Sequence, residues 1–185
     1  MLNIEIRRPG LGDIEELNRF FANVITDTFA KEGLADMVYE IEKEIEDKKI
    51  RLNQDIESNG EKRYFLIALD SGKIIGTIEY GPVSELIINC TNGELKDVGE
   101  VATVFVDPAY QNKGIGTLML NMIYLTLMNR NIKEFCLDSG YTRAQKIWKK
   151  KFGEPDYLLK DYWGEGYDHM IWRRQMKDIR LMFRT

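Results

Sequence analysis

Val98-Gly99-Glu100-Val101-Ala102-Thr103-Val104-Phe105-Val106-Asp107-Pro108-Ala109-Tyr110-Gln111-Asn112-Lys113-Gly114-Ile115-Gly116-Thr117 passes from an apolar run with strand character, through a turn, into an apolar run that reads as a helix from about Gly114 to Asn129. A strand delivered through glycines into a helix N-terminus is a recipe for holding an anion. The first-turn N–H groups have no helical partner, and the helix dipole is positive at that end. Two familiar glycine patterns fail here. A P-loop needs Gly-Lys-Ser/Thr, but Lys113 precedes Gly114; a dinucleotide fingerprint needs a third glycine where Met119 stands. What survives is Gln-x-x-Gly-x-Gly, beginning at Gln111.

Upstream, Ile4 and Ile6 alternate with Glu5 and Arg7 as a short strand does, and Pro9-Gly10 ends it. From Leu11 to Phe29 the residues Ile14, Leu17, Phe20, Phe21, Val24, Ile25 and Phe29 recur at three- and four-residue spacing, which predicts an amphipathic helix. A second, charge-rich helix follows Gly33 and closes at Ser58-Asn59-Gly60; Glu42, Lys43, Glu46 and Lys49 read as its solvated face. Tyr64–Leu69 and Ile74–Tyr80 are β-rich runs around Asp70-Ser71-Gly72-Lys73, a hairpin. Between Val83 and Gly99 the sequence suggests a loop with a short strand or turn.

Downstream, Ile132–Leu137 reads as a strand, and Tyr141–Phe152 as a basic helix stopped by Gly153-Glu154-Pro155. Tyr157–Leu159 and Asp168–Trp172 suggest a terminal β-pair. The intervening helix makes the strands on either side of it parallel. These elements predict one layered domain over residues 1–185, a mixed sheet with helices on both faces.

The chain has 185 residues, 44% hydrophobic and 30% charged, enough for one sizeable core. A net charge of -4 argues against a nucleic-acid or anionic-membrane partner. Cys90 and Cys136 lack metal-ligand spacing and read as reduced thiols, which suits the cytoplasm. Met1–Arg8 lacks the apolar region of a signal peptide, and no run approaches a membrane span.

From Val101 to Met119 the sequence resembles the acyl-CoA-binding segment of the GNAT superfamily of N-acetyltransferases, Gln/Arg-x-x-Gly-x-Gly/Ala after an apolar strand ending in Val-x-Pro or Val-Asp-Pro. The order of elements fits the family along nearly the whole chain, although only this segment is motif-specific. The resemblance implies an α/β fold with a mixed, mostly antiparallel central sheet, a splayed central strand pair and helices on both faces. It implies acetyl-CoA as acyl-donor cosubstrate, no metal, and an amine acceptor that the sequence does not identify. Proteins of this kind are commonly homodimers, and the sequence itself carries no signal for assembly.

By the same resemblance the amides of Gln111, Asn112, Lys113, Gly114, Ile115, Gly116 and Thr117 hold the pyrophosphate, with charge added by Lys113. The backbone of Val104, Phe105 and Val106 pairs with the pantetheine arm as an added strand, and the N–H of Phe105 or Val106 is the oxyanion donor. Glu100 matches the glutamate that serves as base in some family members, and Glu79 on the hairpin is a second candidate. Family members often carry Asn-x-x-Ala-x-x-x-Tyr in the helix after the fifth strand. Here Tyr141 takes the asparagine position and Trp148 the tyrosine position. An indole is no acid, so either Tyr141 supplies the proton or the thiolate leaves unassisted. Two readings stand: an acetyltransferase acting by direct attack in a ternary complex, and a non-catalytic acyl-CoA sensor. His169 reads as structural.

Overall fold

A computed structural model describes residues 3–181 and residue 183. Among these lie β1 (Ile4–Arg7), α1 (Ile14–Lys31), α2 (Val38–Glu57), β2 (Tyr64–Asp70), β3 (Lys73–Gly81), α3 (Glu85–Cys90), β4 (Glu100–Val106), α4 (Ile115–Asn129), β5 (Glu134–Ser139), α5 (Thr142–Phe152), β6 (Tyr157–Leu159) and β7 (His169–Gln175). Tertiary contacts divide the chain into two compact units. One holds the chain up to Tyr80 together with Thr103–Leu125 and Leu181; the other holds Gly81–Ala102 and Thr126–Arg180.

In the first unit β2 and β3 form the expected hairpin, antiparallel from Tyr64↔Tyr80 to Asp70↔Lys73, with β1 antiparallel to the other edge of β2. Phe65–Leu69 are buried without alternation, the mark of a strand covered on both faces. Helix α1 buries all six of Leu17, Phe20, Phe21, Val24, Ile25 and Phe29, each stabilising by roughly 1.5–3 kcal/mol relative to exposure. Its partner α2 buries only Ile41, Leu52 and Asp55, and its outer face carries pairs such as Lys49–Glu46 at 2.9 Å, as its charge pattern predicts.

In the second unit β4 pairs in parallel with β5 at Glu100↔Cys136, while β5–β7 and β6–β7 are antiparallel. Four of the five pairings described are therefore antiparallel, and the fold is the mixed, mostly antiparallel α/β arrangement expected. Ile87, Leu95, Val98, Cys136 and Ile171 make a core here. Where a loop with a short strand or turn was expected after Val83, the chain forms α3. The Ser84 hydroxyl caps it by accepting from Ile87 N at 3.4 Å, and Ile87 is fully buried. The strand expected at Ile132–Leu137 starts at Glu134, whose carboxylate takes a bidentate pair from Arg173 on β7, at 2.7 and 2.9 Å. The same cross-strand pairing carries β7 beyond Trp172 to Gln175.

Candidate active site

The glycine turn belongs to the first unit, and it is tied down before its glycines begin. Asp107 N donates to Ile75 O on β3 (2.9 Å), and its carboxylate accepts from Ala109 N (2.9 Å) and pairs with Lys73 Nζ (3.0 Å). That hydrogen bond raises the Lys73 ammonium above its ordinary pKa. The Gln111 amide donates to Val106 O at 3.2 Å and accepts from Lys31 Nζ at 3.4 Å, stapling the turn to the strand end.

The chain then takes two left-handed steps, Asn112 at φ 61° and Gly114 at φ 84°. Leu118 N donates to Gly114 O (3.0 Å) as the first bond of α4, so the amides of Ile115 and Gly116 lie ahead of the helix's own ladder. A Cβ built on Gly114 meets nothing within 4 Å, and one on Gly116 makes only an ordinary 3.8 Å contact with Val106. The protein's own packing thus leaves room at both glycines for an anion to approach the backbone. Lys113 is exposed, its ammonium 4.8 Å from the centre of the Tyr110 ring. Open space at Gly114 and the helix-start amides of Ile115 and Gly116 suit a pyrophosphate.

Val104, Phe105 and Val106 are half-buried beside β3. Close approach of the two strands depends on Gly76, where a Cβ would come within 3.3 Å of both Phe105 O and Ile115 Cγ2. One step earlier Thr103 stands at φ 50°, an outlier for a β-branched residue that costs of order 1–3 kcal/mol. Its hydroxyl donates to Glu79 Oε1, and its carbonyl accepts from Thr77 Oγ1 at 2.9 Å. Glu79 is completely buried. Its carboxylate also takes Arg63 Nη1 at 2.6 Å and Arg51 Nη1 at 3.4 Å.

Glu100 and Tyr141 lie in the second unit. Glu100 is 3% exposed, and its Oε2 accepts from the backbone N–H of Ser84 at 2.7 Å. Opposite it, burial together with the nearby Glu100 and Asp138 charges pushes the Cys136 thiol up in pKa, which disfavours a thiolate and an acyl-cysteine. Tyr141 caps α5, with its N–H on Ser139 Oγ (3.1 Å) and its carbonyl accepting from Gln145 N (2.9 Å). Trp148 is buried and stacks on Phe152 with ring centres 5.9 Å apart, a core role.

His169 is 2% exposed. Its Nδ1 accepts from the Trp163 indole at 3.2 Å, and its Nε2 lies 3.1 Å from Asp138 Oδ2 without hydrogen-bond alignment. Gly140 makes this packing possible, because a Cβ there would stand 2.6 Å from Trp163 Nε1. Among the described residues no three of His, Cys, Asp and Glu converge to hold a metal ion, and no helix is long and apolar enough to cross a membrane.

The motif reading missed Thr103, Thr77, Arg63, Arg51, Lys31 and Lys73. No local signal marks them: Lys31 reaches Gln111 across 80 residues, and Arg51 reaches Glu79 across 28.

Residues 27–153 match the model of the Acetyltransferase (GNAT) family. Searching curated protein sequences returns no match. Among solved structures, the PaiA N-acetyltransferase of Thermoplasma acidophilum in complex with coenzyme A aligns with TM-score 0.67 and 21% identity, over 94% of this chain and 99% of its own. The ribosomal-protein-alanine N-acetyltransferase of Brucella melitensis aligns with TM-score 0.65 and 18% identity, over 92% and 99%. For yncA from Salmonella typhimurium with acetyl-CoA the values are 0.66 and 13%, over 98% of each chain. At these identities the likeness is one of fold.

Proposed function

The chain belongs to the GNAT acetyltransferase family, and from that membership we propose that it moves an acetyl group from acetyl-CoA to a primary amine by direct attack in a ternary complex. The observation that carries this reading is the pair of left-handed residues, Asn112 and Gly114, that leads into α4 with open space beside the Cα of Gly114.

Acetyl-CoA supplies a thioester carbonyl and a thiolate leaving group. The amides from Gln111 to Thr117 hold its pyrophosphate, and Lys113 adds positive charge. The backbone of Val104–Val106 hydrogen-bonds the pantetheine arm, and the Phe105 or Val106 N–H faces the carbonyl oxygen as negative charge develops there. Glu100 on the same strand accepts the proton of the attacking amine, directly or through water. With Trp148 committed to packing, the thiolate leaves unassisted or takes a proton from Tyr141.

The buried indole at position 148 also favours a second reading, a domain that binds acyl-CoA without turning it over. Following free thiol while the protein is mixed with acetyl-CoA and a panel of primary amines separates the two. Thiol release that depends on an amine supports the enzyme; CoA binding with no release for any amine supports the sensor.

A further inference from the structure

We propose that Glu79 is a positioning residue: it clamps a left-handed kink at Thr103, and the clamp sets the course of the Val104–Val106 backbone toward the pantetheine arm of coenzyme A. The ligand in this statement rests on the CoA reading above.

Seven non-glycine residues among those described have positive φ: Asn59, Ser71, Asn92, Thr103, Asn112, Asn131 and Asp161. Six are exposed Asn, Asp or Ser, types that tolerate this conformation in turns. Thr103 is the exception on every count, being β-branched, 5% exposed and inside a strand. Such a torsion persists only where its surroundings over-determine it.

The surroundings here are specific. The Thr103 hydroxyl is held by Glu79 and its carbonyl by Thr77, both on β3. Glu79 is fixed in turn by Arg63, which is itself anchored by a 3.1 Å bond from Nε to Gln54 Oε1. Four residues along, Asp107 N donates to Ile75 O. The three residues assigned to the pantetheine arm thus lie between two ties to β3, one made at Thr103 and one at Asp107. Burying a carboxylate among guanidinium groups is a weak source of net stability compared with apolar packing. Its evident product is one backbone torsion.

The test measures CoA affinity by titration calorimetry and kcat and KM for acetyl-CoA. Thr103→Val keeps the branch and volume but loses the hydroxyl, and it should weaken CoA binding about tenfold, the size of a left-handed torsion no longer held. Thr103→Gly adopts the same φ without a clamp, and should stay within about threefold of the unaltered protein. Glu79→Gln should weaken CoA binding when Thr103 is present and add nothing in the Thr103→Gly background, with KM for acetyl-CoA following Kd and the pH profile of kcat unmoved.

The clamp is overturned if Thr103→Gly binds as poorly as Thr103→Val, or if glycine at 103 fails to rescue Glu79→Gln. It is also overturned if Glu79→Gln leaves Kd unchanged and abolishes a limb of the pH profile, the behaviour of a base. Should Glu79→Gln not fold, the comparison of Thr103→Val with Thr103→Gly decides alone. Failure of the CoA reading shows separately, as no binding heat with the unaltered protein, and it removes the clamp's proposed purpose as well.

Discussion

Glu79 and Glu100 are both strand carboxylates buried almost completely, at 0% and 3% exposure, yet their partners are of opposite kinds. In the first unit Glu79 is gripped by Arg63, Arg51 and the Thr103 hydroxyl. In the second unit Glu100 accepts a backbone N–H from Ser84, at the start of α3. A carboxylate whose oxygens already receive two guanidinium groups and a hydroxyl has little capacity left for a substrate proton. Residue type and burial therefore do not separate the two carboxylates; the partners described for each do.

The largest effect expected from this contrast is on turnover. Glu100→Gln should lower kcat/KM by about a hundredfold or more, most severely below the pKa of the amine, while CoA affinity is retained. Equal rates for Glu100→Gln and the unaltered enzyme, across pH, would erase the distinction between the two carboxylates.

Next comes the turn, where the first unit's proposed binding role lies in backbone rather than in Glu79 itself. Gly114→Val forces a branched side chain onto φ 84° and fills the open face, and should weaken CoA binding by about ten- to a hundredfold with the fold intact by circular dichroism. An unchanged Kd would remove the turn from CoA binding.

A smaller effect probes the second unit. Gly140→Ala puts a methyl group where Trp163 Nε1 now lies and should break the indole–His169 bond, destabilising by about 1–3 kcal/mol without altering CoA affinity. Urea unfolding measures the first claim and calorimetry the second.

The smallest effects are electrostatic and similar in both units. Hydrogen bonds from Arg7 hold the Asp13 carboxyl below its ordinary pKa in the first unit, and Arg173 does the same for Glu134 in the second. Because the folded values are depressed, the stability each contributes is full above the unfolded carboxylate range, near pH 4, and is lost as pH falls through the lower folded values. Glu134→Gln should flatten that acid loss by less than about 1 kcal/mol, since the pair is solvent-exposed. Urea midpoints at pH 7 and pH 3 make the comparison.

Much of this molecule was legible in order along the chain. The apolar spacing of α1, the β2–β3 hairpin and the strand–turn–helix passage through Gly114 all depend on near neighbours, and all appear where the spacing puts them. α3 was not legible because Leu86-Ile87-Ile88 is an apolar run too short to show a period, and its cap by Ser84 is one hydrogen bond. The Glu79 network was invisible for a different reason: Arg51, Arg63, Thr77 and Thr103 are scattered over fifty residues with no spacing rule to connect them. His169 read as structural, and its buried place between Trp163 and Asp138 agrees.

The sequence by itself determined where a glycine turn opens a helix and which family the chain resembles. Glycine torsions and helix-end amides are local properties, specified within a dozen residues of Gly114. Only the tertiary structure decided what surrounds each carboxylate and why Thr103 occupies a conformation its side chain disfavours. Those outcomes are set by hydrogen bonds and ion pairs between residues remote in the chain, and such contacts exist only once the strands and helices have packed.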